Sequence, residues 1–215
     1  MSDKQPVWYE FFAGGGMARL GLSDAWKCVF ANEWCEKKAT AYTARFGAGQ
    51  PPVCPELKIE DVAKLTTADL PGKPDLVWGS FPCQDLSLAG NGAGLRGERS
   101  GAFWPFWSLL KELIAEGRAP RVIALENVVG AITAHGGKDF ANLFCMIADG
   151  SYRVGPMVID AVRFVPQSRP RLFIVAVQKE LAIPSELVSD WPTSTWHPPS
   201  LKRTWACLPS ICLPA

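Results

Sequence analysis

What this sequence lacks narrows its class before any motif is read. No apolar run approaches the roughly 20 residues needed to span a bilayer, and Met1 to Pro6 is polar, with no signal-peptide core. That composition leads us to expect a cytoplasmic protein with no membrane partner. Net charge is nearly absent: 22 Lys and Arg stand against 21 Asp and Glu, leaving +1. Whole-molecule charge therefore cannot coat nucleic acid, although a local patch remains compatible with it. Only 2 His occur, and C-x-x-C and H-E-x-x-H spacings are missing, so no metal site is expected. With no secretory segment, the 7 Cys read as reduced thiols rather than as a disulfide framework. Repeats and low-complexity tracts are also missing. What is present, 48% hydrophobic and 20% charged residues over 215 positions, suits a folded domain with a sizeable core.

Short apolar runs alternate with helical patterns through the first two-thirds of the chain. Strands are expected at Val7–Phe12, Cys28–Ala31, Leu57–Val62, Asp75–Gly79 and Arg121–Leu125. Helices are expected at Met17–Trp26, Glu36–Phe46, Trp104–Glu116 and Lys138–Ala148. Tyr152–Ala161 and Arg171–Gln178 read as an antiparallel pair. The pattern predicts an α/β fold with a mostly parallel sheet and an antiparallel C-terminal strand. In such sheets functional groups gather in the loops at the carboxyl ends of the strands. From Ile183 onward, Pro184, Pro192, Pro198, Pro199, Pro209 and Pro214 are expected to interrupt any regular element. The expected division is therefore a catalytic domain over 1–182 and an irregular Pro/Trp-rich extension over 183–215.

Five loops carry unusual residues, and each also has a plainer reading. Phe12-Ala13-Gly14-Gly15-Gly16 would let a ligand approach backbone closely, or would simply be a tight strand-to-helix turn. Asn32-Glu33-Trp34 offers a carboxylate for a ribose and an aromatic face for a base; alone, an exposed Glu beside a packed Trp is the better reading. Pro82 stiffens the turn that presents Cys83 at a strand end, where a thiolate would meet a substrate, whereas most Cys are small buried hydrophobes. Glu126-Asn127-Val128 supplies an acid or hydrogen-bond partner, or a helix-start carboxylate. Arg169 and Arg171 sit on one strand face to grip a carboxylate, phosphate or base edge, or form a solvated basic edge.

The order and company of these stretches carry more than any one of them. Phe11-Phe12-Ala13-Gly14-Gly15-Gly16, Asn32-Glu33-Trp34, Gly79-Ser80-Phe81-Pro82-Cys83-Gln84-Asp85-Leu86-Ser87, Arg99-Ser100-Gly101, Glu126-Asn127-Val128 and Gln167-Ser168-Arg169-Pro170-Arg171 together resemble the cytosine-5 DNA methyltransferase family, over about Val7 to Gln178. The resemblance implies a Rossmann-like S-adenosylmethionine-dependent methyltransferase fold. It implies methyl transfer from S-adenosylmethionine to carbon 5 of cytosine in double-stranded DNA, on a flipped base, within a restriction-modification context in a prokaryotic or phage host cell. Phe12, Ala13, Gly14 and Gly16 would line the cofactor pocket, with Glu33 on the ribose and Trp34 on the adenine. Asp61 would contact the adenine amino group, a match resting on spacing alone, and Pro82 would shape the nucleophile loop. Cys83 would attack carbon 6 of cytosine. Glu126 would bind the ring nitrogen and exocyclic amine, and Arg169 and Arg171 would hold the base and support the catalytic loop. That loop would include Ser87 and Gly90 to Gly94.

Members of that family continue into a variable target-recognition region and a closing Gly-Asn-Ser-Val-type segment; neither is found before Ala215. The chain then reads as a fragment of a longer enzyme, as one subunit of a split enzyme whose partner supplies recognition, or as a shortened homologue. A catalytically incomplete subunit and a tRNA cytosine-5 methyltransferase are the rival functions. A NAD-dependent oxidoreductase is disfavoured by the missing G-x-G-x-x-G.

Overall fold

The computed structural model describes residues 4–82, 101–149, 151–188 and 194–208. Among the described residues there are seven strands: β1 (Val7–Phe11), β2 (Lys27–Glu33), β3 (Leu57–Ile59), β4 (Leu76–Gly79), β5 (Val122–Val128), β6 (Tyr152–Asp160) and β7 (Pro170–Gln178). They form one sheet in the order β3-β2-β1-β4-β5-β7-β6. β1 pairs in parallel with β2 and β4, and β2 with β3, whereas β6 and β7 are antiparallel. Among the described residues five α-helices accompany them: α1 (Met17–Leu22), α2 (Glu36–Phe46), α3 (Phe103–Ala115), α4 (Lys138–Ala148) and α5 (Pro199–Ala206). The chain divides into two compact units, residues 1–81 with 102–123, and residues 82–101 with 124–215.

The first unit is built on aromatic packing. β1 reads Val-Trp-Tyr-Glu-Phe, and all but its first residue are buried, as a strand covered on both faces requires. α3 buries Phe103, Phe106, Trp107, Leu109, Leu110 and Leu113, a spacing that turns one broad face of the helix to the core. Phe106 meets Phe11 edge-on at 4.9 Å, and Phe103 stacks parallel to Trp107 at 6.3 Å. α1 stops earlier than its sequence pattern suggests. Ser23 takes φ +52, so Ser23–Ala25 is a 3-10 turn and Trp26 is already extended.

One charged residue lies in the middle of the central apolar strand of this unit. Glu10 on β1 is 1% exposed. Its Oε2 accepts a hydrogen bond from the Tyr42 hydroxyl at 3.1 Å, and that hydroxyl accepts one from Arg19 Nη1 at 3.1 Å. Arg19 also reaches Glu56 at 2.6 Å and lies over the Phe46 ring. Burial pushes the Glu10 carboxyl from 4.5 up to about 7, with the Tyr42 bond and Arg19 pulling partway back. Burial likewise pushes the neighbouring Cys28 thiol up to about 12, which makes it an inert core residue.

The second unit rests on α4, whose buried stripe is Asp139, Phe140, Leu143, Phe144 and Ile147. Along β7, Leu172, Ile174 and Ala176 alternate inward, and Pro156 is tolerated in β6 because that strand is a sheet edge. The prolines after Ile183 do not abolish regular structure. Pro199 occupies the first turn of α5, where its missing N–H costs nothing, and Trp205 packs edge-on against Phe144 at 5.2 Å. Cys28, Cys35, Cys54 and Cys207 are free thiols, but Cys145 on α4 is disulfide-bonded. That departs from the reading of all seven as reduced, because pairing depends on spatial proximity that spacing alone does not reveal. Among the described residues no helix is long and apolar enough to cross a membrane.

Two measurements check this packing. Phe106→Ala should cost about 3–5 kcal/mol in urea unfolding, whereas Leu187→Ala, at a side chain 74% exposed, should stay within about 0.5 kcal/mol; equal losses would contradict the assigned core. Because folding raises the Glu10 carboxyl from 4.5 to about 7, the native state holds the extra proton between those values. The Glu10 contribution to stability therefore falls as pH rises through that window. Relative to Glu10→Gln, the native sequence should lose about 3 kcal/mol between pH 4 and pH 8. A gap between the two proteins that does not change with pH would rule out this burial account.

Candidate active site

The residues singled out from the sequence fall into two groups, one in each unit. In the first unit the loop after β1 turns through left-handed backbone at three positions: Phe12 (φ +58), Gly14 (φ +57) and Gly16 (φ +81). Glycine takes this region freely, whereas for Phe12 it costs on the order of 1–3 kcal/mol and persists only where the surroundings enforce it. Here the Phe12 ring is held between Phe106, at 5.8 Å, and Phe81, at 6.5 Å. The loop is closed by Gly16 N–H donating to Ala13 O at 2.8 Å, and Ala13 N–H donates to Asn32 O at 2.9 Å.

Glu33 binds this loop directly. It ends β2, is 3% exposed, and accepts Gly14 N–H on Oε2 at 2.8 Å and Cys35 N–H on Oε1 at 2.9 Å. Ala13, Gly14 and Glu33 are thus one hydrogen-bonded cluster, and Trp34 beside it is 72% exposed. A Cβ built on Gly14 or Gly15 would meet nothing within 4 Å, so the loop faces open space. Asp61 lies two residues beyond β3, exposed, with Oδ1 accepting Ala63 N–H at 2.9 Å as the cap of a 3-10 turn. Pro82 is exposed, three residues beyond the end of β4. Cys83, Ser87, Gly90 to Gly94, Arg99 and Ser100 lie outside the described residues.

In the second unit Glu126 and Arg171 meet. Arg171 Nε donates to Glu126 Oε1 at 2.9 Å, and both side chains are about four-fifths buried, at 21% and 23% exposure. The guanidinium also donates to Pro170 O at 2.9 Å. Glu126 comes from β5 and Arg171 from β7, which the sheet order makes neighbours. Arg169 is exposed, and its backbone is tethered. Asp160, the last residue of β6, accepts Arg169 N–H at 2.7 Å and Val162 N–H at 3.1 Å on Oδ1, and the Ser168 hydroxyl at 2.9 Å on Oδ2. These bonds hold the Asp160 carboxyl below its ordinary range.

Four supporting residues were given no individual role from the sequence. Asn32 donates its amide to Lys58 O at 3.2 Å and Glu60 O at 2.9 Å, which fixes the end of β2 against the segment leading to Asp61. Asp160 organises the Gln167-Ser168-Arg169 turn. Glu10 with Tyr42 underlies the glycine loop. Only Glu10 left a sequence signal, a charge in the middle of an otherwise apolar strand. Among the described residues no group of three or more His, Cys, Asp or Glu side chains is placed to hold a metal ion.

Comparison with known proteins places this geometry. A family model for C-5 cytosine-specific DNA methylase matches residues 8–206. Type II methyltransferase M.BsuFI of Bacillus subtilis is 33% identical over 176 residues, covering 81% of this chain and 40% of the relative. Type II methyltransferase M.Eco47II of Escherichia coli is 33% identical over 190 residues, covering 86% and 42%. Among solved structures, the S. pombe Dnmt2 methyltransferase has a TM-score of 0.63 at 20% identity, over 83% of this chain and 52% of that one. A putative DNA modification methyltransferase from an E. coli prophage gives 0.62 at 23% identity, over 85% and 50%. Both likenesses show a methyltransferase fold. The chain spans about half or less of the length of the curated relatives it matches. Within that span, the matched model over nearly the whole sequence shows that this chain belongs to the C-5 cytosine-specific DNA methylase family.

Proposed function

We propose that this chain carries the catalytic core of a DNA (cytosine-5-)-methyltransferase that uses S-adenosylmethionine, as part of a longer or split enzyme whose remainder supplies target recognition. Residues 183–215 are then the start of, or the contact to, that remainder. The observation that carries the reading is the Arg171–Glu126 ion pair: two residues far apart in sequence, each taken from a family motif that acts on the cytosine, are in contact.

The residues of the first unit fit the cofactor. Open space over Gly14 and Gly15, a buried carboxylate at Glu33 and an exposed indole at Trp34 suit a nucleoside with a flexible, charged tail. Phe12, Ala13, Gly14 and Gly16 would line it, Glu33 would accept from the ribose hydroxyls, Trp34 would pack on the adenine, and Asp61 would take the amino group. The Glu33 oxygens each have lone pairs beyond those used by Gly14 and Cys35. When bound, S-adenosylmethionine supplies an electrophilic methyl group on a sulfonium sulfur.

The chain's own residues would do the rest. The thiolate of Cys83, the residue after Pro82, would add to carbon 6 of a flipped cytosine, forming an S–C6 bond. The C5–C6 double-bond pair shifts, making carbon 5 enamine-like. Glu126 hydrogen-bonds the ring nitrogen and amine, offsetting charge that builds on the ring, and Arg169 and Arg171 hold the base. After carbon 5 has taken a methyl group, loss of its proton to a base and expulsion of Cys83 restore the aromatic ring and the thiolate. Arg171 keeps the Glu126 carboxylate aimed and partly desolvated until the base arrives.

Calorimetry should show S-adenosylmethionine binding, weakened by about tenfold or more in Glu33→Ala, since the buried loop amide loses its acceptor; no heat at millimolar ligand would sink the cofactor reading. Duplex DNA containing 5-fluorocytosine should form a covalent adduct with the wild-type chain, assayed alone and together with the product of an adjacent reading frame. Cys83→Ser should form none, and methyl transfer at the wild-type rate by that variant would rule out the nucleophile. Glu126→Gln should lower methyl transfer by about 100-fold or more, with binding of S-adenosylmethionine unchanged. Methylation of tRNA but not of DNA would replace the substrate assignment.

A further inference from the structure

The network around Glu10 goes beyond what a core needs, because it brackets the glycine loop. Glu10 stands two residues before Phe12, and Arg19 is the third residue of α1, immediately after Gly16. The hydroxyl of Tyr42, from α2, donates to the first at 3.1 Å and accepts from the second at 3.1 Å. One buried hydroxyl thus staples the entry of the loop to its exit. The ring beneath that hydroxyl carries the loop itself. A Cβ on Gly16 would fall 3.0 Å from Tyr42 Cδ2 and Cε2 and 2.3 Å from Phe46 Cε2. Gly16 therefore lies flat on the two rings with no room for a side chain. Tyr42 and Phe46 support each other at 4.9 Å.

We propose that Tyr42 is a positioning residue for the cofactor, holding the loop from Phe12 to Gly16 in its open, left-handed form by tying Glu10 to Arg19 and by seating Gly16. This inference rests on the S-adenosylmethionine reading of that loop. From above, Glu33 fixes Gly14 N–H; from below, Tyr42 fixes both ends. With either hold removed, Phe12 keeps its ring contacts but the backbone from Ala13 to Gly16 is freed, and the space over Gly14 and Gly15 loses its shape. The groups facing Glu10 are Tyr42 from α2 and Arg19 from α1, with Cys28 from β2 and Glu56 before β3 next to them. A neutral acceptor at position 10 keeps the Tyr42 bond, so the staple needs the oxygen rather than the charge.

The test combines amide hydrogen exchange over residues 12–20 of the cofactor-free full chain with calorimetry of S-adenosylmethionine. Tyr42→Phe keeps the ring and removes the hydroxyl. It should speed exchange of the Gly14 and Gly16 amides by about five- to tenfold and weaken binding by a similar factor, the loss of about one buried hydrogen bond. Glu10→Leu should do the same, and Glu10→Gln should stay within about twofold of wild type. The double variant Tyr42→Phe/Glu10→Leu should be no worse than Glu10→Leu alone, since that variant already removes the acceptor of the Tyr42 hydroxyl along with the Glu10 interaction with the Arg19 backbone. If Glu10→Leu does not fold, the near-isosteric Tyr42→Phe carries the test alone. Unchanged exchange in Tyr42→Phe, fully additive losses, or a Glu10→Gln as weak as Glu10→Leu would each overturn the proposal. A wild-type chain that binds no S-adenosylmethionine, with the loop still loosened in Tyr42→Phe, would overturn the cofactor reading and uphold the staple.

Discussion

A buried carboxylate that satisfies backbone is the constraint on which the first unit depends. Glu33 is nearly inaccessible, and its two oxygens accept N–H groups from Gly14 and Cys35. Burying a carboxylate is tolerable only with such partners. The same bonds decide the path of two segments at once, the loop leaving β1 and the turn entering α2. Asn32, one residue earlier, does the equivalent for the segment after β3 through the carbonyls of Lys58 and Glu60. The carboxyl ends of three adjacent parallel strands are thereby cross-linked through two consecutive side chains of β2.

The second unit uses the same device on a different scaffold. Asp160 ends β6 and gathers Val162, Ser168 and Arg169 around its carboxylate, so the turn into β7 is set before β7 begins. Pairing with β6 then places Arg171 opposite Ile159, and its guanidinium is fixed by Glu126 from β5. The edge strand β6 makes no part of the Glu126 pair itself. Its contribution is to hold β7 in register and to supply the carboxylate that closes the turn. In both units a short, polar, strand-terminal residue organises backbone, and the larger groups with chemical potential are left aimed and partly open.

Much of this was legible from the sequence. The boundaries of α2 and α4 follow directly from their periodicity and from the glycine after Phe46 and before Lys138. The alternation of strands and helices gave the sheet class, because a fully buried parallel strand can hardly be built from anything but runs like Val-Trp-Tyr or Val-Ile-Ala-Leu. Glu33, Glu126 and Arg171 stood out as candidates only through the order and company of the motifs that carry them, since each alone also has a plainer reading. α5 was not legible. Prolines mark helix breaks in an interior but helix starts at the first turn, and only the packing of Leu201 and Trp205 decides between the two. The early end of α1 was hidden for a similar reason, since Ser23 adopts left-handed backbone that its residue type does not announce.

The sequence by itself determined the layer architecture, the candidate residues and the family, because each depends on residue type and local order, which the chain carries along its length. Partnership was decided only by the tertiary structure. Nothing in the order of residues says that Tyr42 joins Glu10 to Arg19, that Asp160 binds the backbone of Arg169, or that Arg171 pairs with Glu126. These are contacts between elements distant along the chain, and they exist because a buried polar group must find a partner wherever packing brings one within about 3 Å.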